Sequence, residues 1–146
     1  MDNSIDALLK QPDVNCAEKA VYVNWSNQSV PVRDRTVEVS DTAQGMTLEQ
    51  MRNAVRAGYS NNNPIGNLGL FGMGFNIATA RLGGRTEIWS TTQDSPLWYG
   101  IRIDLDLLAK GMEFQAPLLG RPKQPGDVSG TKIIISALKA LSLIHI

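Results

Sequence analysis

Apolar and polar residues change period several times along the chain, and each change marks an element. Met1 to Lys10 sets Ile5, Leu8 and Leu9 at helical spacing, so the end of a helix is expected there. A polar stretch from Gln11 to Lys19 follows. Ala20 to Trp25 and Arg35 to Val39 alternate with period two, as half-buried strands do, and Asn27 to Ser29 supplies a turn between them. Thr47 can cap a helix, with Gln50 three positions on as its reciprocal partner. Leu48, Met51 and Val55 would then share one side of a helix running to about Ala57. Gly58 to Gly74 contains five glycines and no period, and reads as a long loop. Phe75 to Leu82 returns to helical spacing and ends on Gly83-Gly84. Thr86 to Thr91 and Leu97 to Leu105 read as strands joined by a turn at Asp94-Ser95-Pro96. Gly111 to Ser129, rich in Gly and Pro, reads as irregular. Thr131 to Ser136, with three successive isoleucines, reads as a buried strand.

Helices and strands are intermixed without strict βαβα alternation. The expected fold is an α/β (α+β) two-layer sandwich, with helices on one face of a mixed sheet. The 146 residues suit one domain, which at this size buries roughly 68–70% of its unfolded surface. Hydrophobic residues at 42% against 19% charged argue against disorder. Fourteen basic and fourteen acidic residues cancel, which argues against a general polyanion-binding surface and leaves room for a local phosphate site. Cys16 is the single cysteine, so no disulfide framework and no cysteine-built zinc cluster can form. No apolar run reaches membrane-spanning length and no signal pattern opens the chain, so a cytoplasmic location and no membrane partner are expected.

Leu141 to Ile146 matches what a transposon adapter used in sequencing libraries would encode, the alternative being a natural apolar terminus. The expected domain is therefore 1–140, with 141–146 an artefact of assembly. The sole histidine, His145, falls in that tail, which leaves serine or cysteine triads without a base.

Three segments carry candidate chemistry. Asn3 and Asp6 lie three apart on one helix face; a carboxamide oxygen is a hard ligand suited to Mg2+, although such residues near a chain start also cap helices. Asp41 closes a strand ahead of Gly45 and Met46. A carboxylate held at a strand end can accept a hydrogen bond from an exocyclic amine such as that of adenine, or simply form a turn. Gly69, Leu70, Phe71, Gly72, Met73, Gly74 and Phe75 run into a helix start, where backbone amides and the helix dipole favour an anion; a plain loop fits the spacing equally well. No Gly-Lys-Ser/Thr P-loop is present. The dinucleotide fingerprint fails because Ile77 stands where a small residue is needed and no strand leads into the loop.

Taken together, Asn3 to Ala7, Asp41 to Met46, Gly69 to Phe75 and Gly130-Thr131 stand in the order and rough spacing of the GHKL superfamily of gyrase, MutL, histidine kinases and the ninety-kilodalton heat-shock chaperones. The resemblance covers nearly the whole chain before the tail. Met46, Gly58-Tyr59-Ser60, Ile65-Gly66, Gly72 to Phe75 and Arg81-Leu82-Gly83 look most like the chaperone-like and Microrchidia-like branch. The resemblance implies a Bergerat α/β sandwich that binds ATP with Mg2+. By it, Asn3 would ligate Mg2+, with Asp6 and Ala7 beside the nucleotide. Asp41 would take the adenine amine, with Gly45 and Met46 lining the base pocket. Gly69, Gly72, Gly74 and the amide of Phe75 would hold phosphates, with Leu70, Phe71 and Met73 between them, under a lid spanning roughly Gly58 to Leu70. Thr131 would contact adenine or a bridging water.

The resemblance also implies hydrolysis with lid closure and a homodimer on nucleotide binding. The family's general-base glutamate lies four residues before the asparagine, upstream of Met1. A chain truncated at its N-terminus is therefore expected, with no catalytic residue of its own and little turnover, since a positioned base is worth about 10²–10⁴-fold. Ala43 stands where the family usually has glycine, and would be strained if that position needs φ > 0. Two other functions fit the same fold: a histidine-kinase catalytic domain and a non-hydrolysing nucleotide-sensing module.

Overall fold

A computed structural model describes residues 5, 9, 19–59, 79–110 and 117–139, without the side chains of 54–59, 108 and 109. Six strands form one sheet: β1 (Val21–Trp25), β2 (Val37–Asp41), β3 (Gly83–Thr91), β4 (Leu97–Asp104), β5 (Leu118–Pro122) and β6 (Gly130–Leu138). The spatial order is β1-β2-β6-β3-β4-β5. Helix α1 (Leu48–Tyr59) follows β2, residues 79–82 are helical, and the short α2 (Leu105–Ala109) follows β4. The expected two-layer α+β class holds. The pairings narrow the expected mixed sheet, because all five between the described strands are antiparallel.

The register explains where the core sits. Residues directly opposite in an antiparallel pair share a face. Ile88 pairs with Ile133 and Ile101, and Thr86 pairs with Ile135 and Ile103. Ile88, Ile101, Ile103, Ile135 and Thr86 are all buried, so one face of the sheet is the core face. The period-two alternation of β3 and β4 thus reports a sheet covered on one side.

The opposite face is polar. Arg102 lies 2.7 Å from Glu87, Lys132 3.3 Å from Glu38, and Arg85 3.7 Å from Asp104. The Arg121 guanidinium stacks over Trp89 and Trp98, at 4.9 and 5.5 Å from the ring centroids. The Trp89 ring covers Gly100, its partner across β4, so an added methyl there would meet the indole. Burial pushes the Glu87 carboxyl up. Hydrogen bonds from Trp89 and Arg102, with the charges of Arg102 and Arg85, outweigh it and leave the pKa below the ordinary 4.5. Asp127 also sits below its ordinary value, held first by the Gln124 amide and then by the Trp98 indole at 2.8 Å.

Local signals explain most elements. The capping box forms in both directions: Thr47 N donates to Gln50 Oε1 at 2.9 Å and Gln50 N donates to Thr47 Oγ1 at 3.2 Å. Met51 on the expected inner side of α1 is fully buried. Asn27 accepts the turn bond from Val30 N at 3.0 Å. Ile5 and Leu9 are helical as expected, and both are exposed.

Some boundaries differ from expectation: β2 runs Val37–Asp41 where Arg35 to Val39 was expected. The segment Gly111 to Ser129 contains a strand: β5 pairs with β4 from Leu97↔Pro122 to Ile101↔Leu118. Its Gly120 and Pro122 masked the alternation, and Pro122 is tolerated at the end of an edge strand where no partner needs its missing N–H. The helix stops at Leu82, before Gly83-Gly84 as expected, and β3 opens on the same two glycines where Thr86 was the expected start. Side chains there would collide with the Ser136 carbonyl and the Asp106 carboxylate.

Candidate functional site

One row crosses the sheet at a single level on the core face. Asp41 pairs with Thr131, and Thr131 pairs with Ser90. Strands β2, β6 and β3 thereby bring side chains 49 and 90 positions from Asp41 in the chain to one line. Tyr99 of β4 continues the row beside Ser90.

Asp41 is held from one side. Its Oδ1 accepts the amide of Ala43 at 3.1 Å and that of Thr131 at 3.2 Å. The first bond is an Asx turn that bends the chain off β2. The second spans 90 residues and ties the end of β2 to the start of β6. Among the described residues Oδ2 accepts nothing, so one oxygen of the carboxylate is uncommitted there.

The segment after Asp41 folds back over the row. Ala43 is 2% exposed, and among the described residues Ala137 is the one non-glycine at positive φ, so Ala43 carries no left-handed strain. The glycine-requiring position is Gly45, at φ 71°. A methyl there would collide with the Thr91 carbonyl oxygen, so this turn lies directly on the strand backbone. That approach buries Met46 to 8% exposure and brings its amide to Ser90 Oγ at 2.8 Å. Gly130 (φ 153°) performs the matching service at the start of β6, where a side chain would strike the Asp41 carbonyl.

Ser90 was not singled out from sequence. Its hydroxyl meets the Met46 amide, the Gly130 carbonyl at 3.0 Å and Thr131 Oγ1 at 2.9 Å, and the residue is fully buried. The available signal was its phase: Ser90 follows Thr86 and Ile88 on the inward positions of β3, so it is a polar residue on a core face.

Of the residues expected at the site, Asp41, Gly45, Met46 and Thr131 come together. Asn3, Asp6, Ala7 and Gly69, Leu70, Phe71, Gly72, Met73, Gly74 and Phe75 lie outside the described residues, as does the tail 141–146. Among the described residues no three His, Cys, Asp or Glu side chains gather as a metal site. A separate hollow of about 360 Å³ opens at the far end of β1 and β2, lined by Trp25, Ser26, Arg35 and Val37 among others. Its arginine is committed to the loop, with Nε on the Val30 carbonyl and Nη2 on the Gln28 carbonyl at 3.0 and 2.7 Å. The polar groups that converge without being consumed by the loop are those of the Asp41 row, and we place the candidate site there. Among the described residues no helix is long and apolar enough to cross a membrane.

A six-stranded antiparallel sheet with a buried face and helices between its strands defines an α+β sandwich. Residues 1–121 match the family described as histidine kinase-, DNA gyrase B-, and HSP90-like ATPase. The chain belongs to that family, which is a family of GHKL-type ATP-binding domains. No curated protein matches the chain.

Proposed function

We propose that the chain is an ATP-binding module of a GHKL-type ATPase, with its adenine pocket built on Asp41, Gly45, Met46 and Thr131. The observation that carries this reading is the half-occupied Asp41 carboxylate. Two amides fix Oδ1, while Oδ2 is free of described partners and set beside Thr131 in register. A fixed acceptor suits an exocyclic amine, and the buried Met46 would supply an apolar wall. Asn3 would hold Mg2+, with Asp6 and Ala7 next to the nucleotide. The amides from Gly69 to Phe75 would hold the phosphates under a lid spanning roughly Gly58 to Leu70. Bound Mg2+ would neutralise phosphate charge. Lid closure, hydrolysis and nucleotide-dependent homodimerisation belong to the intact protein on this reading.

Titration calorimetry with ATP and GTP tests it, with Asp41→Asn as the decisive variant. The asparagine oxygen can keep both amide bonds, so the fold survives with a loss of about 1–3 kcal/mol as two charge-assisted bonds become neutral. The NH₂ then points a donor at the adenine amine, and ATP affinity falls at least tenfold. Equal affinity of wild type and variant would show that Asp41 does not meet the base.

A further inference from the structure

The Ser90 hydroxyl has one hydrogen to give and two lone pairs. Three neighbours lie within hydrogen-bond distance. The Met46 amide at 2.8 Å can only donate, the Gly130 carbonyl at 3.0 Å can only accept, and Thr131 Oγ1 at 2.9 Å can do either. One arrangement satisfies all three. Met46 donates to Ser90, the Ser90 hydrogen goes to the Gly130 carbonyl, and Thr131 donates to Ser90. The fully buried position makes an unmade bond there costly, since water is not at hand to replace it.

The consequence falls on Thr131. Its hydrogen is spent inward, so any group beyond it meets lone pairs alone. Asp41, opposite it in register, also only accepts. We propose that Ser90 is a specificity-determining positioning residue. By taking the Thr131 hydrogen, it leaves only lone pairs on Thr131 to face the 6-substituent of the base, so that at this position the site takes an exocyclic amine over a carbonyl. A hydroxyl free to rotate would donate to the carbonyl as readily as it accepts from the amine. This inference rests on the adenine reading of the Asp41 site.

The test compares ATP with inosine triphosphate, which differ in the 6-substituent and the adjoining N1 proton. Affinities are measured by titration calorimetry for the wild-type chain, Ser90→Ala, Thr131→Val and the double variant, each with a thermal melt to establish folding. The wild type prefers ATP. Ser90→Ala lowers the ATP-to-inosine-triphosphate ratio about five- to tenfold, the scale of one hydrogen bond. Thr131→Val lowers it similarly, and adding Ser90→Ala to Thr131→Val changes it no further. A merely structural role for Ser90 would weaken both nucleotides alike and leave the ratio in place. An unchanged ratio in Ser90→Ala, or a drop that persists in full in the Thr131→Val background, overturns the proposal. Should Ser90→Ala fail to fold, Thr131→Val decides alone, and an unchanged ratio there overturns it. A wild-type chain that binds neither nucleotide overturns the adenine reading itself, which is a separate result.

Discussion

Gly45→Ala perturbs the turn that seats Met46 on Ser90, and its cost can be worked from geometry. Holding alanine at φ 71° costs about 1–2 kcal/mol, of which about 0.5–1 kcal/mol is returned by the less flexible unfolded chain. The methyl must also find space. It overlaps the Thr91 carbonyl oxygen and sits 3.1 Å from that of Gly130, and both carbonyls belong to the paired strands β3 and β6. Neither can rotate aside like the end of a side chain, so the turn must lift, adding about 1–3 kcal/mol as in other overpacked sites. The net loss is about 1–4 kcal/mol, against a total of about 5–15 kcal/mol for a domain, so the variant folds. Urea unfolding followed by fluorescence of Trp25, Trp89 and Trp98 measures it. Gly120→Ala is the control, because a methyl there meets nothing within 4 Å. That change should stay within about 0.5 kcal/mol of wild type. The lifted turn also withdraws the Met46 amide from Ser90, so ATP binding weakens in Gly45→Ala and not in Gly120→Ala. If the two variants unfold at the same urea concentration, the packing argument for this turn is wrong.

Two further predictions concern stability away from the row. The depressed pKa of Glu87 means that its bonds to Trp89 and Arg102 add stability in full above the unfolded value of 4.5, and lose it as pH falls through the lower folded value. Urea unfolding from neutral to acid pH should show a shallower acid decline in Glu87→Gln; an identical decline would remove Glu87 as a contributor. Ala137 holds φ 51° near the end of β6, so Ala137→Gly should raise stability by up to about 1 kcal/mol, and a lower melting temperature would contradict the strain.

The elements legible in the sequence are those whose pattern has one cause. Thr86 to Thr91 alternates because one face is buried, and Thr47 with Gln50 forms a box because both partners are local. Strand β5 was hidden because Leu118 to Pro122 is an edge, where pairing to β4 tolerates a glycine and a proline that read as loop signals. Gly83-Gly84 was legible as a helix end but not as a strand start, because the close approach to Ser136 and Asp106 is a tertiary contact. Asp41 and Thr131 were legible through their order beside the other family segments. Ser90 was not, because its role depends on the hydroxyl of a residue 41 positions away and an amide 44 positions away. No local pattern encodes those distances.

The place of β6 between β2 and β3 carries a consequence for biogenesis. Until Gly130 to Leu138 emerges and inserts, the β1–β2 hairpin and the β3–β4–β5 meander have no strand joining them, and the carboxylate has no threonine amide to grip. Such far-apart pairing is slow to nucleate. On the adenine reading proposed above, base recognition thus waits for β6, and a ligand that engages the row rewards only molecules in which β6 has inserted.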